Sequence, residues 1–261
     1  MLTKGRFVRI CLLGLCVVRT HALTLLVEDK RPYAYQDGTQ ITGALVELAR
    51  QRLEREKIPV TFNVLPSRRA LAAINDTPDT CALGVPYNGA LAETVTFVQP
   101  LAPIFMVVLS RKEDHLALHQ IEDLRSHRTA VGEVPEIIRL LKRNALPHTV
   151  LPAGKAATEM LSAGRFDALI ADYGTLPAAV TAERFEIGFL FEPTDMWLAC
   201  SRGLPQTMQQ QLKGIFAEHL LGEQSKDIWA RFGLDAYRSR ANEQWAAAHQ
   251  SGRTPTGKSK H

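Results

Sequence analysis

Charged and aromatic side chains gather in small sets where apolar runs of this chain end. Glu28, Asp29 and Tyr33 follow LTLLV, Arg68 and Arg69 follow VTFNVL, and Pro86, Tyr87 and Asn88 follow CALGV. Further along, Gly132 and Glu133 close TAVG, and Asp172 and Tyr173 close DALIA. Rings that cover apolar faces and charges that fix polar ends are suited to clasping a small polar molecule. Chemistry that needs a dedicated nucleophile or metal is not written here: the chain has no GxSxG elbow, Walker loop, HExxH, paired CxxC, or GxGxxG after its first strand. His115 and His119 stand four apart, as metal ligands on one helical face do. They lie in a polar connector beside Asp114, however, and a solvated surface is the better reading.

Each candidate also has a plain structural reading. Tyrosine at a strand end serves as a core lid about as often as a ligand contact. Adjacent arginines at a helix start are usually solvated, yet Arg68 and Arg69 oppose the positive end of their helix dipole, a strain that a local anion would relieve. Asp172 ends a strongly apolar strand, where a carboxylate is costly unless hydrogen-bonded or paired, so capping and functional roles stand side by side. Glu133 or Asp172 would be the acid or base if the chain were an enzyme.

These residues need a scaffold that brings strand ends together. LTLLVE, VTFNVL and CALGV read as strands, separated by a helix over Gly43–Lys57 with Leu45, Leu48, Ala49 and Leu53 on one stripe, and by the helix SRRALAAIN opened by Ser67. Pro100 and Pro103 forbid a helix through the extended run from Ala92 to Lys112. A second alternating set follows: TAVGE, PEIIRLLKRN, TVLPA, KAATEMLSAG, DALIAD, LPAAVTAE and FEIGFLF, strand and helix in turn. DMWLACSRG then reads as extended. A long helix follows at 206–221, with Met208, Leu212, Ile215 and Phe216 on one face, and a last helix holds Ile228, Trp229 and Phe232. Alternation of this kind predicts an α/β fold of mostly parallel sheets flanked by helices, in two lobes divided by the long extended run. Ligands of such sheets meet the carboxyl ends of the strands, which is where the candidates lie.

Composition excludes some partners. Of 31 basic residues, Lys4, Arg6, Arg9 and Arg19 fall before residue 23, where there is no acid, so the rest of the chain balances its 27 acids. That is no footprint for nucleic acid. The start itself, MLTKGRFVR followed by ICLLGLCVV and RTHA, has the layout of a cleavable export signal over residues 1–22, with Thr20 and Ala22 at the cleavage site. Its apolar run is about half the roughly 20 residues that span a bilayer. Leu15 before Cys16 does not suit a lipidated cysteine. Once Cys11 and Cys16 leave with the signal, Cys81 and Cys200 remain, as a disulfide or as two buried thiols. The stretch from Ser239, with Arg240, Arg253, Lys258 and Lys260 against Glu243 alone, reads as a disordered tail with Trp245 as its one large apolar residue.

Several segments together resemble the bacterial extracellular solute-binding proteins of the amino-acid type, family 3, with the type II periplasmic-binding fold. They are PYAYQDGTQITGALVELAR at 32–50, TFVQPL at 96–101, FDALIAD at 166–172 and the exported start. LPSRRALAAI is similar to an LPxxRAL segment of a subgroup that also carries a cysteine in each of the strands corresponding to CALGV and WLACSRG. The resemblance covers residues 23 to about 235. It implies hinge strands near Leu101–Ser110 and Met196–Cys200, a first lobe over 23–105 resumed at 196–238, a second lobe over 106–195, a tail over 239–261, and a Cys81–Cys200 bridge within one lobe.

The same resemblance implies a periplasmic, non-enzymatic, monomeric protein with no cofactor, metal or nucleic-acid partner. Such a protein closes over an amino-acid-like solute, a related amine or an organic acid, and delivers it to an inner-membrane transporter permease or a sensor. Tyr33, Arg69 and Tyr87 of the first lobe and Asp172 of the second would hold the solute, Asp172 matching the acid that takes an ammonium group. An accessory role, docking a partner enzyme or receptor, and a dehydratase-like activity on the same fold are the alternatives. Leu91 stands where the family's carboxylate-clamping arginine is expected, Gly84, Val85 and Pro86 replace small hydroxyl residues, and GEVPE replaces a Gly-Ser or Gly-Thr loop.

Overall fold

The computed structural model describes residues 22–152, 156–176, 183–217 and 220–250. Most of the export signal, the 251–261 portion of the tail and most of the helix read in LPAAVTAE lie outside the described residues.

In the first lobe the strands are β1 Leu23–Val27, the hairpin β2 Tyr35–Asp37 and β3 Gln40–Thr42, β4 Val60–Val64, β5 Thr80–Pro86 and β6 Thr96–Ile104, with helices α1 Ala44–Arg55 and α2 Ser67–Asp76 between them. In the second they are β7 Met106–Arg111, β8 Thr129–Gly132, β9 His148–Leu151, β10 Ala168–Asp172 and β11 Phe185–Leu190, with α3 Pro135–Arg143 and α4 Ala157–Ser162. The chain ends with β12 Thr194–Cys200, α5 Gln206–Ala217, α6 Lys226–Arg231 and α7 Asp235–Gln250. One five-stranded sheet has the order β4-β1-β5-β12-β6, the other β11-β7-β10-β8-β9.

Both sheets obey one rule. β12 runs against both its neighbours, β5 and β6, and β7 runs against β10 and β11; the other four strands of each sheet run one way. The reversed strands are the two that arrive from the other sheet, β7 through Phe105 and β12 through 191–193. Strands that start at the edge facing the other lobe must run opposite to those that end there. The second crossing thus falls ahead of Met196–Cys200, which lies wholly within β12; Glu192 and Pro193 are exposed and outside the ladder.

The Pro32–Arg50 segment shows how local chemistry builds the edge. α1 has no side-chain cap at Gly43. Its first amides are met instead by the preceding turn, Ala44 N donating to Pro32 O at 3.0 Å and Leu45 N to Tyr33 O at 2.9 Å. The turn therefore lies directly on the helix start. A Cβ at Gly43, where φ is +123°, would come within 2.4 Å of Tyr33 O, so only glycine allows the approach. Leu45, Leu48, Ala49 and Leu53 of α1 are buried as their spacing predicts.

One apolar core is continuous through both lobes, joining Leu25, Leu45 and Met196 with Phe105, Val131 and Ile170. Smaller clusters sit beneath α2 and beneath α4. Cys81 and Cys200 face each other on β5 and β12 and form a disulfide, S–S 2.05 Å, both fully buried.

The reading of disorder from residue 239 is corrected by α7, which runs on to Gln250. Tyr237 and Ala241 are buried along it, with Leu234 buried just before its start. Asn242 also donates to Leu221 O at 3.0 Å, and Arg238 pairs with Glu223. That stripe is one residue wide and set among polar neighbours, which conceals it in the sequence. Among the described residues no helix is long and apolar enough to cross a membrane.

Candidate functional site

The carboxyl ends of β1 and β10 meet where the lobes touch. Asp172, last residue of β10, is only 7% exposed. Its Oδ2 accepts a hydrogen bond from Lys30 Nζ at 2.6 Å, while Oδ1 accepts from Tyr33 OH at 3.2 Å and from Gly174 N at 3.1 Å. Two of the three donors come from the other lobe. A tight turn aims them: Tyr33 N donates to Lys30 O, and Lys30 N to Ala34 O. The Lys30 ammonium also lies 5.5 Å from the centre of the Tyr33 ring.

The phenols beside this carboxylate are held neutral. Burial first, then the Asp172 charge, pushes Tyr33 well above the ordinary tyrosine range, so its hydroxyl serves as a donor. Tyr237 of α7 is raised the same way, by burial and then by Asp172. Its ring meets Tyr33 edge-on at 5.5 Å and Phe105 at 5.7 Å, and its hydroxyl donates to Pro103 O. α7 thus closes the back of the junction beside the crossing at Phe105. Packing is tight enough to dictate Gly174, where a Cβ would fall 1.8 Å from Tyr33 OH.

The structure brings together Tyr33 and Asp172 of the sequence candidates and adds Lys30, which the sequence reading passed over. All the others except Tyr173 lie apart from this group. Glu28, Asp29 and Glu133 are exposed. Arg68 and Arg69 are exposed at the start of α2 and make no side-chain bond with any described residue. Tyr87 is half-buried against Phe97 at 4.9 Å and Trp197 at 5.9 Å, and the Oδ1 of Asn88 accepts Ala90 N in a local turn. Tyr173 is half-buried, with the Arg240 guanidinium 5.1 Å from its ring centre. It lines a cavity of about 480 Å³ with Leu176, Phe185, Ile187, Leu234 and Tyr237. Leu91 packs on the small core beneath α2.

His115 and His119 are both exposed, and the backbone amides of His119 and Gln120 are capped by Asp123. No group of three or more His, Cys, Asp or Glu able to hold a metal occurs among the described residues.

No protein family's sequence profile matches the chain, and no curated protein matches it. Solved structures do. A histidine kinase sensor domain with similarity to periplasmic binding proteins is 18% identical, with a TM-score of 0.66, over 82% of this chain and 96% of that one. Holo ArgBP from T. maritima is 19% identical, with a TM-score of 0.61, over 82% and 96%. The ancestral amino acid-binding protein AncCDT-1, a precursor of cyclohexadienyl dehydratase, is 17% identical, with a TM-score of 0.65, over 80% and 95%. The likeness establishes the architecture: a two-lobed, periplasmic-binding-protein-like α/β fold.

Proposed function

We propose that this chain is an exported solute-binding protein that works in the periplasm, holding a small polar solute between its lobes and presenting it to an inner-membrane permease or a sensor. The observation that carries the reading is Asp172, a buried carboxylate at the carboxyl end of β10 whose donors come from both lobes. A group bonded from both sides couples what happens in the cleft to the angle between lobes, since a solute shifts that equilibrium only by contacts that differ between open and closed states. The amino-acid-binding neighbours are consistent with it. Acid–base catalysis gains less support, because Glu133 is exposed and both Asp172 oxygens already accept donors.

A sensor or accessory role is the second reading, favoured by the apolar Leu91 and by an Asp172 that the chain's own Lys30 already satisfies. Isothermal titration of ligand-stripped protein against amino acids, amines and organic acids, with melting midpoints in parallel, tests solute binding. One-to-one saturable heat and a raised midpoint are expected. Silence across the panel from a correctly folded sample, together with an Asp172→Ala variant indistinguishable from wild type in melting and scattering, would remove the reading. Uptake of a hit by cells with and without the gene separates delivery from sensing.

A further inference from the structure

Asp172 is the one buried acid among the described residues, and three donors of the chain meet its carboxylate. The shortest of these bonds is to a primary ammonium that reaches across from the first lobe, Lys30 Nζ at 2.6 Å. The arrangement is what a carboxylate in a cleft would make with a bound alkylammonium, supplied here by a side chain 142 residues away. We propose, resting on the solute-binding reading for the identity of the cleft, that Lys30 is a specificity-determining residue: its ammonium occupies the cation position of the cleft, latches the lobes in solute-free protein and excludes amine-bearing solutes.

Three physical arguments support this. An incoming amine meets a carboxylate that already accepts three donors, Lys30 on Oδ2 and Tyr33 and Gly174 on Oδ1, which leaves only one of its roughly four acceptor sites. Displacing Lys30, which can turn to solvent, would exchange one ammonium for another at the nearly dry Asp172, so an incoming amine gains no additional ion pair. The competition is also unequal, since an internal ammonium on a short tether has a high effective concentration that a free solute must overcome. The Lys30 side chain remains 37% exposed, so its outward N–H groups are open to solvent or to an anion. Solutes without an ammonium group, organic acids above all, are therefore the class this cleft admits.

The test replaces the internal amine with an external one. Full-length secreted chain, wild type and Lys30→Ala, is titrated with n-butylammonium chloride, with sodium chloride and tetramethylammonium chloride as controls. The alanine variant is expected to bind n-butylammonium at least ten times more tightly than wild type, and to regain a compact scattering profile when it does. Tetramethylammonium, which has no N–H to donate, should do neither. A Lys30→Ala/Asp172→Asn double variant should lose the gained binding. Equal affinity of wild type and Lys30→Ala for the amine, or a wild-type midpoint raised more by n-butylammonium than by sodium chloride, overturns the proposal. If the alanine variant does not fold, Lys30→Gln keeps a hydrogen-bond donor without the charge; it should be more open than wild type, and an unchanged scattering profile overturns the proposal equally. None of these outcomes depends on knowing the natural solute, so the latch can fail while solute binding stands.

Discussion

Two aspartates bracket β10, and they do opposite things. Asp167, just before the strand, takes the backbone N of Arg128 at 2.9 Å and its Nη2 at 2.6 Å, with Arg111 3.9 Å away. All three residues belong to the second lobe. Asp172, at the other end of the strand, takes Lys30 and Tyr33 from the first lobe. The chemistry is the same, but strand direction separates the roles: amino ends of the parallel strands face away from the other lobe and carboxyl ends face it. Burial separates them too, the Asp167 side chain being 23% exposed and that of Asp172 6%. One acid staples a lobe to itself, and the other ties two lobes together.

The strongest way to break the comparison is Asp172→Ala. It leaves the buried Tyr33 hydroxyl and the Lys30 ammonium without their acceptor, and should cost about 3 kcal/mol in chemical denaturation, the low end for breaking a buried pair because Lys30 can turn to solvent. Small-angle scattering should show a more open particle. Gly174→Ala comes next, forcing a methyl into the space of Tyr33 OH. About 2 kcal/mol is expected, typical of overpacking, with the same opening although every charge is kept. Asp167→Asn should differ in kind, with a smaller loss and no change in scattering. Arg128 holds the Asp167 carboxyl below its ordinary range, mainly by hydrogen bonding. A lowered folded pKa contributes stability above the unfolded value that is lost as pH falls through the folded one. The gap between wild type and Asp167→Asn should therefore be present at pH 7 and close below about pH 4. A gap that persisted in acid would mean that the ion pair is not its source.

Much of this is legible in the sequence, and the reasons are physical. The strand and helix alternation follows from apolar periodicity, and Asp172 stood out because a lone acid ending an apolar strand requires partners. Lys30 did not, because it sits beside Arg31 in a short charged loop. Which cation turns inward is decided by the Lys30–Ala34 turn; Arg31 instead stacks on Tyr35 at 3.8 Å. Tyr33, expected from the resemblance to hold the solute, is buried and donates to Asp172. The spacing of Lys30 and Tyr33, three apart across a turn, is the signal that could have linked them. Arg68 and Arg69 show the limit of the helix-dipole argument, since exposed guanidinium groups are satisfied by water at little cost. The helix over Asp235–Gln250 is hidden by composition, because the apolar residues buried along its described face are only Tyr237 and Ala241, with Leu234 just before it.

A third acid sharpens the contrast at the smallest scale. Asp195, near the start of β12, is half-buried, and no described residue bonds its carboxylate. Burial pushes its pKa up, with no partner to offset the effect. Here the sign is opposite to that of Asp167. The folded state holds the Asp195 proton more tightly than the unfolded chain does, so stability falls as pH rises from the unfolded value through the folded one. The charged form is thus a burden at pH 7, and Asp195→Asn, nearly the same in shape, should raise the melting midpoint by about 1–2 °C there. The gain should fade as pH drops below about 4, where both states of the wild type are protonated. A variant less stable than wild type at pH 7 would show that the Asp195 carboxylate is paired in solution and belongs with Asp167 and Asp172 among the acids that hold the molecule together.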